Sequence, residues 1–233
     1  MRQNLITLKS NYLFSFLLIT LTFILGIVII HHYSTNIAYG LEEYSIVKKF
    51  GSQGAADGEF VKIADIAFDS SGNLYALDSA NNRVQKFSAD GTYITEWSFS
   101  SDLGPVNSLP GITIDPTGNV FIVDSKGHRI EKHSIDGGYL NSFGKNGIGD
   151  GQFSYPNGIS VDNSGNLYVI DSGNHRIQKF TNDGEYITKW GSQGSGDGQF
   201  LKPVAIAVDP ISGNIYVADS GNNRIQIFSI NTE

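Results

Sequence analysis

Residues 171–180 read DSGNHRIQKF, and the phrase returns as DSANNRVQKF from 78, DSKGHRIEKH from 124 and DSGNNRIQIF from 219. The Asp that opens it recurs at intervals of 46, 47 and 48 residues. Most of what lies between the copies recurs too. An aromatic residue closes a short run at Phe50, Trp97, Phe143 and Trp190, and glycine-rich stretches (GSQGAADGEF, GKNGIGDGQF, GSQGSGDGQF) follow three of these. IADIAFD, PGITID, PNGISVD and PVAIAVD come next, then the turns SSGN, PTGN, NSGN and PISGN. A fixed period of this length marks stacked supersecondary units, none able to bury its apolar faces alone.

Each unit reads as four short strands, a to d, at 158–161, 167–170, 176–180 and 186–190 in the third unit. They are rich in Ile, Val, Tyr and Phe and are separated by Gly, Asn, Asp and Ser turns, the signature of strands joined by tight hairpins. No helical stripe follows residue 40. The pattern predicts an all-β, four-bladed β-propeller over residues 44–228, with units at about 51–97, 98–143, 144–190 and 191–228. Strand a carries no charge between its large apolar residues (Ile159 and Val161 around Ser160, Ile206 and Val208 around Ala207), as suits the crowded innermost position. YSIVKKF, residues 44–50, aligns with strand d, whereas the last unit stops after strand c. The N-terminal strand is therefore expected to complete the last sheet and close the ring, leaving no open edge. A single-chain ring is favoured, and a dimer sharing a ring is the alternative.

The first forty residues differ in kind. Residues 12–30 (YLFSFLLITLTFILGIVII) carry no charge, and a helix of that length just spans a hydrocarbon core. Arg2 and Lys9 precede the run, and Glu42 and Glu43 follow it. Because basic flanks stay cytoplasmic, residues 1–40 read as a membrane anchor that holds the propeller outside the cell. The competing reading is a signal peptide cleaved near Gly40, which releases the domain. The chain has no cysteine and a formal charge of −7, and beyond residue 40 it carries 14 basic against 23 acidic side chains. So acidic a surface argues against nucleic acid as a partner, since such affinity comes from basic groups displacing counterions.

PNGISVD, GNLYVID and NHRIQKF of the third unit resemble the NHL repeat, as do their counterparts in the fourth. The second unit departs furthest, with His133 where the others have Phe87, Phe180 and Phe228, and SFSSDLGPVNSLP in place of the glycine-rich loop. The resemblance implies a propeller. NHL members include RNA-binding modules, substrate-binding partners of ligases, extracellular sensors and an amidating lyase, so the fold leaves the function open.

Antiparallel strands put the repeated phrase (the b–c loop) and the glycine-rich d–a loops on one face. The candidate binding residues there are Asp78, Asn82, Arg83, Asp124, His128, Arg129, Asp171, His175, Arg176, Asp219, Asn223 and Arg224. A ring of charged groups could grip a ligand. Four copies at one locus favour the other reading, in which Asp caps the turn and pairs with Arg across the hairpin. His128 and His175 replace Asn82 and Asn223, which suits a left-handed turn position better than a zinc ligand. Asp57, Asp150 and Asp197 lack the spacing of a calcium loop. No metal, cofactor or catalytic residue is assigned. The favoured function is a non-catalytic scaffold binding a protein, peptide or glycan. The alternative is a metal-dependent hydrolase or lyase, lactonase-like or amidating-lyase-like, on the same propeller.

Overall fold

A computed structural model describes residues 21–24, 27–30, 45–99 and 110–230, and the chain divides into two compact units, Met1–Val47 and Lys48–Glu233. In the first unit, β1 (Leu21–Ile24) and β2 (Ile27–Ile30) pair antiparallel. The rest of the helix expected over 12–30 lies outside the described residues. No helix among the described residues is long and apolar enough to cross a membrane.

The second unit is a four-bladed β-propeller. A two-residue parallel pair, β3 (Ser52–Gln53) with β4 (Glu59–Phe60), pinches the first glycine-rich loop. Blade 1 is β5 (Ile63–Phe68), β6 (Leu74–Asp78), β7 (Arg83–Phe87) and β8 (Tyr93–Ser98). Blade 2 is β9 (Ile112–Ile114), β10 (Val120–Asp124), β11 (Arg129–His133) and β12 (Tyr139–Phe143). Blade 3 is β13 (Pro156–Val161), β14 (Leu167–Asp171), β15 (Arg176–Phe180) and β16 (Tyr186–Trp190). Blade 4 is β17 (Pro203–Val208), β18 (Ile215–Asp219) and β19 (Arg224–Phe228). Neighbouring strands in each blade run antiparallel in sequence order.

Local chemistry fixes the hairpins. At the a–b turn of blade 3, Asp162 accepts hydrogen bonds from the Ser164 and Asn166 amides, Asn166 Nδ2 and the Tyr168 hydroxyl. Asp69 and Asp115 hold their turns the same way. At the c–d turn, Gly184 has φ +89°, and a Cβ there would lie 2.5 Å from the Phe143 ring of the preceding blade. Gly91 and Gly137 meet Phe50 and Trp97 in the same way.

The core lies between blades. The forward face of blade 1 (Tyr75, Leu77, Val84) packs on the rear face of blade 2 (Ile112, Val120, Ile122). Phe121, Val123 and Ile130 then meet Ile159, Leu167 and Val169. Tyr168, Ile170 and Ile177 meet Ile215, Val217 and Ile206. Each side chain so buried contributes about 1.5–3 kcal/mol, and no blade buries both faces without neighbours.

The expected closure of the ring by residues 44–50 is corrected. Residues 45–50 form no strand, and the fourth sheet has three strands. The outward faces at the two ends remain open: Ile66 and Phe68 of blade 1 are 51% and 61% exposed, and Ile225 and Ile227 of blade 4 are 69% and 59% exposed. The physical reason lies in the packing. Sheets stacked face to face through side chains on both surfaces, about 10 Å apart, turn modestly from blade to blade, and three such steps form an arc. Phe50 meanwhile packs on blade 1, with its ring 5.0 Å from that of Phe87.

Candidate functional site

The repeated phrase folds the same way in blades 1, 3 and 4. In blade 3 the Asp171 carboxylate is buried and accepts the Ser154 amide at 2.6 Å, Asn174 Nδ2 at 2.8 Å, Arg176 Nε at 2.7 Å and Gln178 Nε2 at 3.1 Å. The Arg176 guanidinium then reaches the glycine-rich loop, donating Nη1 to Ile148 O and Nη2 to Gly149 O and Gln152 O. Gln178 donates to Gln152 O and accepts the Gly151 amide. Arg83 repeats this on Ala55, Ala56 and Glu59, and Arg224 on Ser195, Gly196 and Gln199. A glycine-rich loop, anchored otherwise by the Phe at its end, is thus pinned by charge-assisted hydrogen bonds, about twice as strong as neutral ones.

Asp78, Arg83, Asp171, Arg176 and Asp219 are buried, and their polar atoms are directed at their own blade. Asn82, His128, His175 and Asn223 occupy the left-handed position after the turn, with φ between 51° and 55°. Asn adopts that conformation more readily than most residues. His128 also reaches outward: its Nδ1 accepts the Tyr155 amide at 3.1 Å, and its ring stands edge-on to Tyr155 at 4.8 Å.

Blade 2 differs in chemistry. Asp124 accepts the Gly127 amide and pairs with Arg129, whose Nη2 lies 2.9 Å from buried Glu131. Glu131 replaces the Gln of the other blades and also pairs with buried His133 at 3.2 Å. Burial pushes the Asp124 carboxyl up, against the lowering effect of Gly127 and Arg129. For Asp219 burial also acts upward, but Asn222, Leu201 and Arg224 outweigh it and hold the carboxyl below its usual value.

The inner strands frame a cleft of about 220 Å³ on the propeller axis, lined by Ala64, Asp65, Pro110, Gly111, Gly158 and Ala205 among others. Register shifts between Ile63 and Asp65, Pro156 and Ile159, and Pro203 and Ala205 turn the backbone there, as bulges do beside sites. Asp65 Oδ2 accepts the Ile112 amide of the next blade, Gly111 N donates to Asn157 O, and Asn157 Nδ2 donates to Pro203 O. The inner strands are stitched in series, and Asp65 is the first stitch. Burial raises its pKa, against the amides of Ile112 and Ile66. Among the described residues, no three His, Cys, Asp or Glu side chains converge as metal ligands do. Asp150 pairs with Lys189 at 2.5 Å.

Four exposed residues that lead from the glycine-rich loops into the inner strands were missed in the sequence reading. Tyr155 and Lys202, at φ 46° and 57°, stand just before Pro156 and Pro203, and Val61 and Leu201 are exposed at the ends of their loops. Their places one residue (Val61, Leu201) or two residues (Tyr155, Lys202) after Phe60, Phe153 and Phe200 were the signal available.

The NHL repeat model matches residues 60–87, 153–180 and 200–228. The chain is an NHL-repeat β-propeller. Its second blade, with Glu131 and His133 in place of Gln and Phe, is the one outside those matches. No curated protein matches the NHL chain in sequence. Among solved structures it resembles a structural genomics protein of unknown function from Bacteroides thetaiotaomicron VPI-5482, at 22% identity and TM-score 0.61, over 72% of this chain and 47% of that one. It also resembles an auxiliary nutrient binding protein from Bacteroides ovatus ATCC 8483, at 18% identity and TM-score 0.56, over 70% and 47%. A third likeness is to a catalytically inactive virginiamycin B lyase from Staphylococcus aureus with quinupristin, at 20% identity and TM-score 0.53, over 94% and 74%. The chain thus spans about half the length of the first two, and likeness at these identities carries the fold alone.

Proposed function

We propose that this NHL propeller is a non-catalytic binding scaffold whose loop face, at the mouth of the axial cleft, receives a protein, peptide or glycan. The observation that carries the reading is how the repeated charged groups are employed. Asp78, Asp171 and Asp219, with their arginines, spend their hydrogen bonds on their own glycine-rich loops. The exposed groups left at these loops are the Tyr155–His128 ring pair, Val61 and Leu201, and a cleft of small residues opens between the inner strands. Concave sites bind through such apolar and aromatic surface with a few placed polar groups. The resemblance to a nutrient binding protein agrees with this reading. The uncharged run 12–30, with basic residues before it and acidic after, supports placing the propeller outside the membrane, anchored or released.

The test is display of the full chain, in mild detergent, against peptide and glycan arrays. Saturable binding that Tyr155→Ala weakens about tenfold or more, the weight of a good contact residue, with unchanged circular dichroism, is expected. Binding that ignores Tyr155 sinks the reading. A second reading, lyase or hydrolase, is favoured by Asp65, whose raised carboxyl at the cleft is where a proton-transferring group is tuned. Substrate turnover lost in Asp65→Asn, with fold intact, would establish it instead.

A further inference from the structure

We propose that the two open end faces pair between two copies of this chain, closing one ring from two four-bladed arcs. Three observations point to the same occupant. The first is repetition of one interface. Within the chain, a forward face carrying aromatic and β-branched residues meets a rear face of Ile, Leu and Val three times over. The forward face left over, Tyr216, Ala218, Ile225 and Ile227, and the rear face left over, Ile66, Phe68 and Leu74, are the fourth pair of that series. A second copy carries both, so its rear face receives the first copy's forward face, and the reverse.

The second is the composition of the open face. In blades 1, 2 and 3 the position before the closing aromatic of strand c is Lys86, Lys132 and Lys179, each with Nζ 5.0–5.6 Å from an aromatic ring centroid of strand b. Blade 4 has Ile227 there, 59% exposed. A terminal sheet meant for water carries charge, lysine above all, to prevent edge association. This one drops the lysine that the covered forward faces of blades 1, 2 and 3 keep.

The third is the seat prepared at the other end. Phe50 lies 5.0 Å from Phe87, as Phe143 at the end of blade 2 lies 5.1 Å from Phe180 of blade 3. Lys48 Nζ adds a bond to Asp90 O at 2.7 Å. Residues 48–50 therefore sit where the outermost strand of a preceding blade would end. Two arcs give eight blades, within the range of about 4–8 that propellers use.

The pairing is independent of what the loop face binds. It is tested on the full chain in mild detergent by native mass spectrometry and by light scattering with the detergent subtracted. The expected result is a two-copy mass that Ile225→Glu and Phe68→Glu each weaken by about thirtyfold or more, the effect of charging one hot-spot position. Both residues are exposed in the single arc, so circular dichroism and unfolding midpoint should hold. Mixing the two variants leaves one unaltered junction and should restore a two-copy species that neither forms alone. A folded wild-type monomer overturns the proposal. So does a two-copy mass that survives both substitutions, or a ladder of masses above two copies.

Discussion

Blades 3 and 4 are nearly the same sentence, NHRIQKF against NNRIQIF, in different company. Ile177 is 0% exposed, whereas Ile225, at the same place in strand c, is 69% exposed. Their strand pairings match residue for residue: Ile170 faces Ile177, and Ala218 faces Ile225. Burial in this fold is therefore conferred by the next blade. A repeat's pattern states what it could bury, and its neighbour decides whether it does.

The largest expected effect breaks that comparison directly. Ile177→Glu puts a charge between blades 3 and 4 and should cost about 4 kcal/mol or more, through lost packing and an unpaired buried carboxylate. Ile225→Glu should leave the unfolding midpoint of a single arc within about 0.5 kcal/mol of wild type, as solvent-facing changes do. Urea unfolding of both variants at low protein concentration is the measurement. Equal losses would mean that the blade 4 face is covered within one chain.

A smaller contrast lies in the Asp–Arg pairs. The Arg176 side chain is nearly as buried as its Asp171 partner, while Arg224 is about a quarter exposed. Arg176→Met should cost about 3 kcal/mol, because Asp171 is left charged and buried while three loop carbonyls lose their donor. Arg224→Met should cost roughly half as much, since solvent can reach the site. Hydrogen exchange at the amides of residues 148–152 and 195–199 would sharpen the point, opening further in the first case. Equal protection in both would show that the arginines do not pin the loops.

The repeat period, the blades and the strand order were legible because the signal was written four times and because tight hairpins need Gly, Asn and Asp at set places. Turn roles were legible too. His128 and His175 stand at left-handed positions inferred from Asn82 and Asn223 alone. Closure was not legible. YSIVKKF has the right letters for a strand, but the angle between blades is set by side-chain thickness summed over three interfaces, which no single segment encodes. The exposed residues Tyr155 and Lys202 were missed because left-handed, exposed positions leave no hydrophobic periodicity. Glu131 was passed over because one atom separates it from Gln, yet it gives blade 2 buried contacts to Arg129 and His133 that the other blades lack.

The smallest effect concerns acid, and its sign separates turn aspartates from cleft aspartates. Asp162 in blade 3 feels burial, which acts upward, but the hydrogen bonds from Asn166, Tyr168 and Ser164 outweigh it and leave the carboxyl below its usual value. Asp209 in blade 4 is likewise lowered, chiefly by Ser212. A lowered folded pKa means that the unfolded chain takes up the proton first. The stabilisation is therefore complete above the ordinary carboxylate range, near pH 4, and is lost as pH falls through the folded value. Asp65 has the opposite sign. Burial raises its carboxyl, so the folded state takes up the proton first and gains stability as pH falls through that higher value. Unfolding midpoints between pH 6 and 3 should thus decline less steeply in Asp162→Asn and more steeply in Asp65→Asn than in wild type. Because Asp65 bonds the Ile112 amide across the first blade junction, its replacement should also lower the plateau at pH 6, by roughly 1 kcal/mol, the net weight of one hydrogen bond. A flat response in both variants would mean that neither carboxylate changes its proton affinity on folding.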